Sequence, residues 1–225
     1  ISDRVAWSLV DERGNEIDCG VLNPAVITDK NGNPVPLFRA YYSLLQKRRE
    51  NQKAGRRPGM LKLKRREEEL LHILSKEIVR LAKEKGAAIV LENIEGLKYE
   101  RIAEHEDRRT RSDRQKNFLL GQTPLRKLQE MIRYKAAEEK IRVFEVPPAY
   151  TSRVCPVCTP LEAYRGRENL KVHAETAVRK GKKFECKLCG READADLNAA
   201  WNIARVVVSR AKRKRKSDQA VEKTA

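Results

Sequence analysis

The sequence predicts a mixed α/β fold carrying a small metal-bound insertion. Three observations predict it. Strand-like runs and helical periodicity alternate along residues 1–150. A short apolar run, Ala87-Ala-Ile-Val-Leu91, has the composition of a buried central strand and ends in Glu92. Two Cys-x-x-Cys pairs, Cys155/Cys158 and Cys186/Cys189, flank a stretch of 27 residues.

Arg4–Val10 reads as a strand, Asp11–Asn15 as a turn and Glu16–Leu22 as a second strand, together a hairpin. Val26–Thr28, followed by Asp29-Lys-Asn-Gly-Asn-Pro34, suggests a shorter hairpin or an extended loop. From Leu37 to about Ala54 the pattern is helical, with Phe38, Tyr41, Tyr42, Leu44 and Leu45 on one side. Gly55-Arg-Arg-Pro-Gly59 breaks it, and a long amphipathic helix, Leu61–Lys85, follows and is closed by Gly86. Residues 98–117 are dominated by charge and include Arg108, Arg109, Arg111 and Arg114. They read as a basic loop or lid that contacts nucleic acid, or as a plain solvated linker. Thr123 caps a helix that has Pro124 at its first position and runs to about Lys140. Its apolar face is Leu125, Leu128, Ile132 and Ala136. Ile141–Val146 is the next strand, ended by Pro147-Pro148.

Past the second cysteine pair, Ala193–Ala204 reads as a helix with Leu197, Ala200, Trp201 and Ala204 on one face. Asp194 suits its N-cap, and Asp196 falls in its first turn. Arg210–Lys216 holds six basic residues in seven and begins a disordered or weakly helical tail. The expected organisation is a core over 1–150, an inserted ribbon over 151–190, a last core helix over 191–210 and a tail over 211–225. No internal repeat is visible.

Lys plus Arg is 49 against 32 Asp plus Glu, a net charge of +17 in 225 residues. A charge of that size points to a polyanionic partner, nucleic acid above all. Only 5% of residues are aromatic, which argues for backbone-dominated binding over base stacking. No apolar run reaches membrane-spanning length and no signal peptide is visible, so a membrane partner is not expected and a cytoplasmic location is. The chain opens on Ile1, as a piece of a longer protein would. Between the cysteine pairs, Arg165, Arg167, Lys171, Arg179, Lys180, Lys182 and Lys183 extend the basic character. Lys180, Lys182 and Lys183 are the strongest candidates there for contact with a phosphate backbone.

Two paired Cys-x-x-Cys turns supply the four thiolates of a closed tetrahedral zinc shell. Such a site folds a loop and leaves no position for substrate; two disulfides are the alternative. His173 is read as a surface residue and Cys19 as a small buried residue of a strand. Glu92 at a strand end and Asp196 at a helix start are hard oxygen donors suited to Mg2+ or Mn2+. The plainer readings are a solvent-facing strand end and a pair of aspartates that only cap a helix. Two or three carboxylates within a basic surface suit two-metal phosphodiester hydrolysis.

Ile89-Val-Leu-Glu-Asn-Ile-Glu-Gly-Leu97, Tyr150-Thr-Ser-Arg-Val-Cys-Pro-Val-Cys158 and Asp194-Ala-Asp-Leu-Asn-Ala-Ala-Trp-Asn-Ile203 resemble the RuvC-like nuclease domain of type V CRISPR effectors and of the related transposon-encoded TnpB proteins. The resemblance covers most of the chain. It implies a ribonuclease-H-like α/β fold, a mixed sheet flanked by helices with an inserted zinc ribbon. It also implies DNA cleavage directed by a guide RNA that other domains of a longer effector chain largely hold. On this resemblance Glu92 is the second-motif glutamate and Asp196 the third-motif aspartate. Asp194 lies two residues before the matching position and receives no catalytic role. The first motif departs from the pattern. Asp18-Cys-Gly20 fits it superficially and would make Asp18 a metal ligand. The residues before it, Arg13-Gly-Asn-Glu16, form a turn where a buried strand is required. The favoured alternative makes Arg4–Val10 and Glu16–Leu22 the second and third strands and puts the first aspartate upstream of Ile1.

Two other functions fit parts of the pattern. A catalytically silent RNA-guided DNA-binding protein would need the carboxylates to have lost their role. A basic zinc-ribbon RNA-binding protein accounts for the charge and the cysteines and leaves Glu92 and Asp196 unexplained.

Overall fold

The computed structural model describes residues 4–55, 60–94, 125–148 and 150–222. Arg108, Arg109, Arg111 and Arg114, with Thr123 and Pro124, lie outside the described residues. The elements in order are β1 (Val5–Val10), β2 (Glu16–Leu22), β3 (Ala25–Thr28), β4 (Pro34–Pro36), α1 (Leu37–Lys53), α2 (Met60–Glu84), β5 (Ile89–Glu92), α3 (Leu125–Glu138) and β6 (Val143–Val146). A 3-10 turn (Leu161–Arg165), α4 (Arg167–Ala174), β7 (Ala177–Lys180), β8 (Lys183–Cys186), β9 (Glu192–Asp194) and α5 (Ala195–Glu222) follow. The fold is mixed α/β. The chain divides into two compact units, one of Ile1–Val5, Leu22–Ile89 and Ile94–Val143, the other of Ala6–Val21, Val90–Asn93 and Phe144–Ala225.

The first unit is helical apart from the β3–β4 hairpin, whose register pairs Ala25 with Pro36 and Thr28 with Pro34. Leu37, Tyr41, Leu44 and Leu45 of α1 are buried, as are Leu71, Leu74 and Val79 of α2 and Met131, Ile132 and Ala136 of α3. Leu125, expected on the apolar face of α3, is exposed; it is the first residue of the helix, six residues before the first buried position, Met131. Helices α2 and α3 run in the same direction. Lys127 pairs with Glu68 near one end and Lys83 with Glu139 near the other. Between them Lys135 Nζ donates to His72 O at 2.8 Å and to Ser75 Oγ at 2.6 Å, and burial pulls the Lys135 amine below its ordinary value.

Two hairpin turns are built alike. In Asp11-Glu-Arg-Gly14-Asn15 and in Asp29-Lys-Asn-Gly32-Asn33, the aspartate Oδ1 accepts the N–H groups two and four residues on. Its Oδ2 accepts the asparagine amide in both. The fourth position requires glycine, with φ of +86° and +81°. This local repeat is a five-residue signature that the reading of the sequence missed.

In the second unit β1 and β2 form the expected hairpin. Strands β5 and β6 pair in parallel: Ile89 N–H meets Arg142 O at 2.9 Å, and Asn93 N–H meets Val146 O at 2.7 Å. The described strands fall into three two-stranded sheets, β1-β2, β3-β4 and β5-β6, and one three-stranded sheet, β7-β8-β9. Along β2, alternation turns Ile17, Cys19 and Val21 outward and Glu16, Asp18 and Gly20 to the half-buried face. Cys19 is thus exposed, not buried as expected. The residues between the cysteine pairs, read as a basic loop, carry the 3-10 turn, α4 and the β7–β8 hairpin. One cluster buries Val146, Val154, Ala163, Tyr164, Leu170 and Val206, and a second buries Cys155, Phe184, Cys186 and Ala195. Helix α5 continues well past Ala204 to Glu222, so the basic tail is helical through that residue.

Candidate metal centre and carboxylate site

Two knuckles build the metal centre. Thr159 N–H closes the first turn on Cys155 O at 2.9 Å, and Gly190 N–H closes the second on Cys186 O at 3.0 Å. Gly190 has φ +69°, which lets the chain leave the second knuckle at once toward β9. The antiparallel sheet β7-β8-β9 supports both, with Phe184 fully buried beneath. Cys155 and Cys189 sulfurs are 3.8 Å apart, as are those of Cys158 and Cys186, and all four lie within 4.8 Å of one another. Four sulfurs at about 2.3 Å from a central ion stand about 3.8 Å apart in a tetrahedron. The spacing therefore fits a four-cysteine metal site and excludes disulfides, whose sulfurs are about 2.05 Å apart.

Thiols this close share protons unequally. The Arg191 N–H holds Cys189 down to about 7. Burial pushes Cys155 up, and contact with the Cys189 sulfur pushes Cys158 up. A divalent cation at the centre would favour all four thiolates. Among the described residues these four form the one group of three or more metal-capable side chains so closely gathered. His173 is not part of it.

Glu92 is the last residue of β5 and is half-buried. Thr151 Oγ1 donates to its Oε1 at 2.8 Å. The Thr151 carbonyl accepts from Asn202 Nδ2 at 2.8 Å, and Asn202 belongs to α5. Six residues earlier on that helix stands Asp196, about 9 Å back along the axis at 1.5 Å per residue. Asp194 caps α5 as expected: its Oδ1 accepts Asp196 N–H at 2.9 Å and Leu197 N–H at 3.2 Å. Arg179 of β7 lies 3.6 Å from Asp196 Oδ1. Asp18 stands in the middle of β2, not at a strand end.

The basic residues of the β7–β8 hairpin border Asp196. Lys180 pairs with Lys183 across a two-residue turn of Gly181 and Lys182. Lys182 O accepts Ala195 N–H at 2.7 Å, one residue before Asp196. Lys180, Lys182 and Lys183 are exposed, and Lys183 pairs with Glu192 at 2.7 Å.

The buried face of α5 matches the expected one at Ala204 only. Asn198, Asn202, Arg205 and Ser209 are buried, at i, i+4, i+7 and i+11, while Leu197, Ala200 and Trp201 are half-buried. Asn198 Nδ2 donates to Val154 O at 3.0 Å, and Asn202 Nδ2 donates to the same carbonyl at 2.9 Å. Tyr164 O–H donates to Asn202 Oδ1. Arg205 donates to Gly14 O and to Thr159 O, each at 2.9 Å, and stacks 4.9 Å from the Tyr164 ring centre. Trp201 Nε1 also donates to Gly14 O, at 3.0 Å. Reading the sequence missed these residues because polar types at helical spacing look solvent-facing. The Asn-x-x-x-Asn spacing at 198 and 202 was the available signal.

The family model described as Cas12f1-like, TNB domain matches residues 126–203, which include all four cysteines and Asp196. A CRISPR-associated endodeoxyribonuclease Cas12f2 of a Micrarchaeota archaeon is 28% identical over 85% of this chain and 36% of its own length. A TnpB-like protein of Methanocaldococcus jannaschii is 26% identical over 79% of this chain and 62% of its own length. The chain thus spans about a third of the first relative and under two thirds of the second. Among solved structures, a Cas12f1–sgRNA–target DNA complex matches in fold with a TM-score of 0.51 and 24% identity, over 89% of this chain and 49% of that one. With the paired cysteine knuckles and the capped helix that follows them, the chain is similar to the type V CRISPR effectors and the TnpB proteins over most of its length.

Proposed function

We propose that this chain is the nuclease portion of an RNA-guided DNA endonuclease. Its RuvC-like, ribonuclease-H-like core would draw on residues 1–150 and 191–210, with the zinc ribbon of 151–190 set into it. One observation carries the reading: the strand end at Glu92 and the helix that opens at Asp196 are tied together through Thr151 and Asn202.

Glu92 and Asp196 are half-buried carboxylates, hard donors of the kind that hold Mg2+ or Mn2+. When bound, such cations activate the attacking water and stabilise the leaving oxygen in phosphodiester hydrolysis. The chain's own residues supply the rest. The N-terminus of α5, capped by Asp194, fixes the backbone of Asp196. Arg179 sets a guanidinium beside that carboxylate, and Lys180, Lys182 and Lys183 continue the positive surface along which a nucleic-acid backbone would lie. Asp18 is the weaker candidate for a further ligand. Cys155, Cys158, Cys186 and Cys189 hold a structural zinc. Guide RNA, target DNA and the remaining domains of the effector are the partners, in a prokaryotic cytoplasm. Among the described residues no helix is long and apolar enough to cross a membrane.

The test is cleavage of labelled DNA by the full-length protein with its guide RNA and Mg2+, alongside Glu92→Ala and Asp196→Ala. Cleavage lost in both variants with guide-dependent binding retained is the expected result. Binding without cleavage in the wild type would favour the silent DNA-binding protein. RNA binding with no guide-dependent DNA binding would favour the structural ribbon protein.

A further inference from the structure

Thr151 is 1% exposed, so its hydroxyl has no access to bulk water. It donates at 2.8 Å to Glu92 Oε1. A glutamate side chain turns about three torsions, and a tether on one carboxylate oxygen removes most of that freedom. The backbone beneath is held as well, because Asn93 N–H pairs with Val146 O at 2.7 Å. Thr151 is itself held from the other side by Asn202, which is 0% exposed. The Asn202 amide spends its donors on Thr151 O and Val154 O and its oxygen on the Tyr164 hydroxyl, so it has no second orientation that keeps these bonds. Tyr150 has φ +59°, a left-handed conformation that a bulky residue keeps only when its surroundings impose it. Arg167 faces its ring at 6.0 Å. The left-handed residue before Thr151 and the full use of the amide behind it hold this segment in one conformation. They fit a hydroxyl that must be aimed.

We propose that Thr151 is a positioning residue for divalent-cation binding: its hydroxyl orients the Glu92 carboxylate, and Asn202 ties that orientation to the helix bearing Asp196. The proposal rests on the metal-dependent reading above. Groups that orient a metal ligand from behind, when removed, typically cost 10–100-fold in metal affinity.

The test measures Mn2+ binding to the zinc-loaded full-length protein by electron paramagnetic resonance of the unbound ion, without nucleic acid. The Mg2+ concentration giving half-maximal cleavage is a second readout. Thr151→Val keeps the shape and removes the hydroxyl; it should weaken Mn2+ binding about tenfold and raise the Mg2+ midpoint in proportion. Thr151→Ser restores the donor and should bind within about threefold of wild type, a rescue that a packing role would not produce. Wild-type Mn2+ affinity in Thr151→Val, or equal weakening in the valine and serine variants, overturns the proposal. If Thr151→Val melts below the assay temperature, the comparison moves to Thr151→Ser against Thr151→Ala, which share the lost methyl and differ in the hydroxyl. Glu92→Gln and Asp196→Asn separate the two levels. If both leave Mn2+ binding unchanged, the metal reading itself fails. If both abolish it while Thr151→Val does not weaken it, only the positioning role fails.

Discussion

Arg205 and Gly14 are 191 residues apart in sequence, yet the guanidinium Nη1 lies 2.9 Å from the glycine carbonyl. The same side chain reaches Thr159 O and covers the Tyr164 ring, so the β1–β2 turn, the ribbon and α5 meet on one buried cation. Arg205→Met keeps much of the packing and removes two charge-assisted hydrogen bonds. It should lower stability by about 3 kcal/mol in urea unfolding. A loss under about 1 kcal/mol, the worth of a surface pair, would contradict this account.

The paired turns allow an internally controlled experiment. Gly14 and Gly32 share a positive φ, so alanine at either costs about 1–2 kcal/mol of backbone strain. A Cβ on Gly32 meets nothing within 4 Å, whereas one on Gly14 would lie 3.1 Å from Leu161 Cδ1. Gly14→Ala should therefore destabilise by about 1–3 kcal/mol more than Gly32→Ala in parallel melts. Equal losses would mean that Leu161 yields without cost.

Acid should open the same turns. Backbone N–H donors, that of Asn15 first for Asp11 and that of Asn33 first for Asp29, hold both carboxyls below their ordinary value of 3.8. A depressed folded-state pKa contributes stability above the unfolded value and loses it as pH falls through the lower folded one. Amide-exchange protection at Arg13, Asn15, Asn31 and Asn33 should be flat from neutrality down to about pH 5 and fall below pH 3.8. Asp11→Asn should remove that acid step for its own turn only.

Metal analysis of the purified protein should find about one zinc per chain. Cys189→Ser should lose it and Cys19→Ser should keep it, since Cys19 stands on the exposed face of β2. Chelation should unfold the ribbon and abolish protection of the Thr159 and Gly190 amides that close the knuckles. Retention of zinc by Cys189→Ser would disprove the four-sulfur site.

Neutralising Lys180, Lys182 and Lys183 together should flatten the salt dependence of DNA binding by about one log-log unit per lost phosphate contact. Lys183 should contribute least, because Glu192 already pairs with it at 2.7 Å. An unchanged slope would remove the β7–β8 hairpin from the nucleic-acid surface.

Much of this was legible in the sequence because it is periodic or punctuated. The β1–β2 hairpin, helices α1 to α3 and the Asp194 cap follow from alternation, three-to-four spacing and capping chemistry, all of them local. The knuckles follow from cysteine spacing. What escaped depends on distant chain segments. Between the cysteine pairs, Tyr164, Leu170 and Phe184 are isolated among charges, and only their burial against α5 or β9 shows them to be anchors. Asn198, Asn202 and Arg205 donate to carbonyls 44 to 191 residues away, and no window on the helix records that. Cys19 was misassigned because its strand was recognised but the face it turns to solvent was not.

The polar face of α5 acts as a keyed shaft. A greasy face tolerates sliding, since one methyl replaces another with little change in energy. Here a slip of one residue would swing Asn198, Asn202 and Arg205 about 100° away from the carbonyls they serve. Val154, Thr151 and Thr159 would then be buried without donors. The axial position of Asp196 is thereby indexed to single-residue accuracy by groups that never touch it.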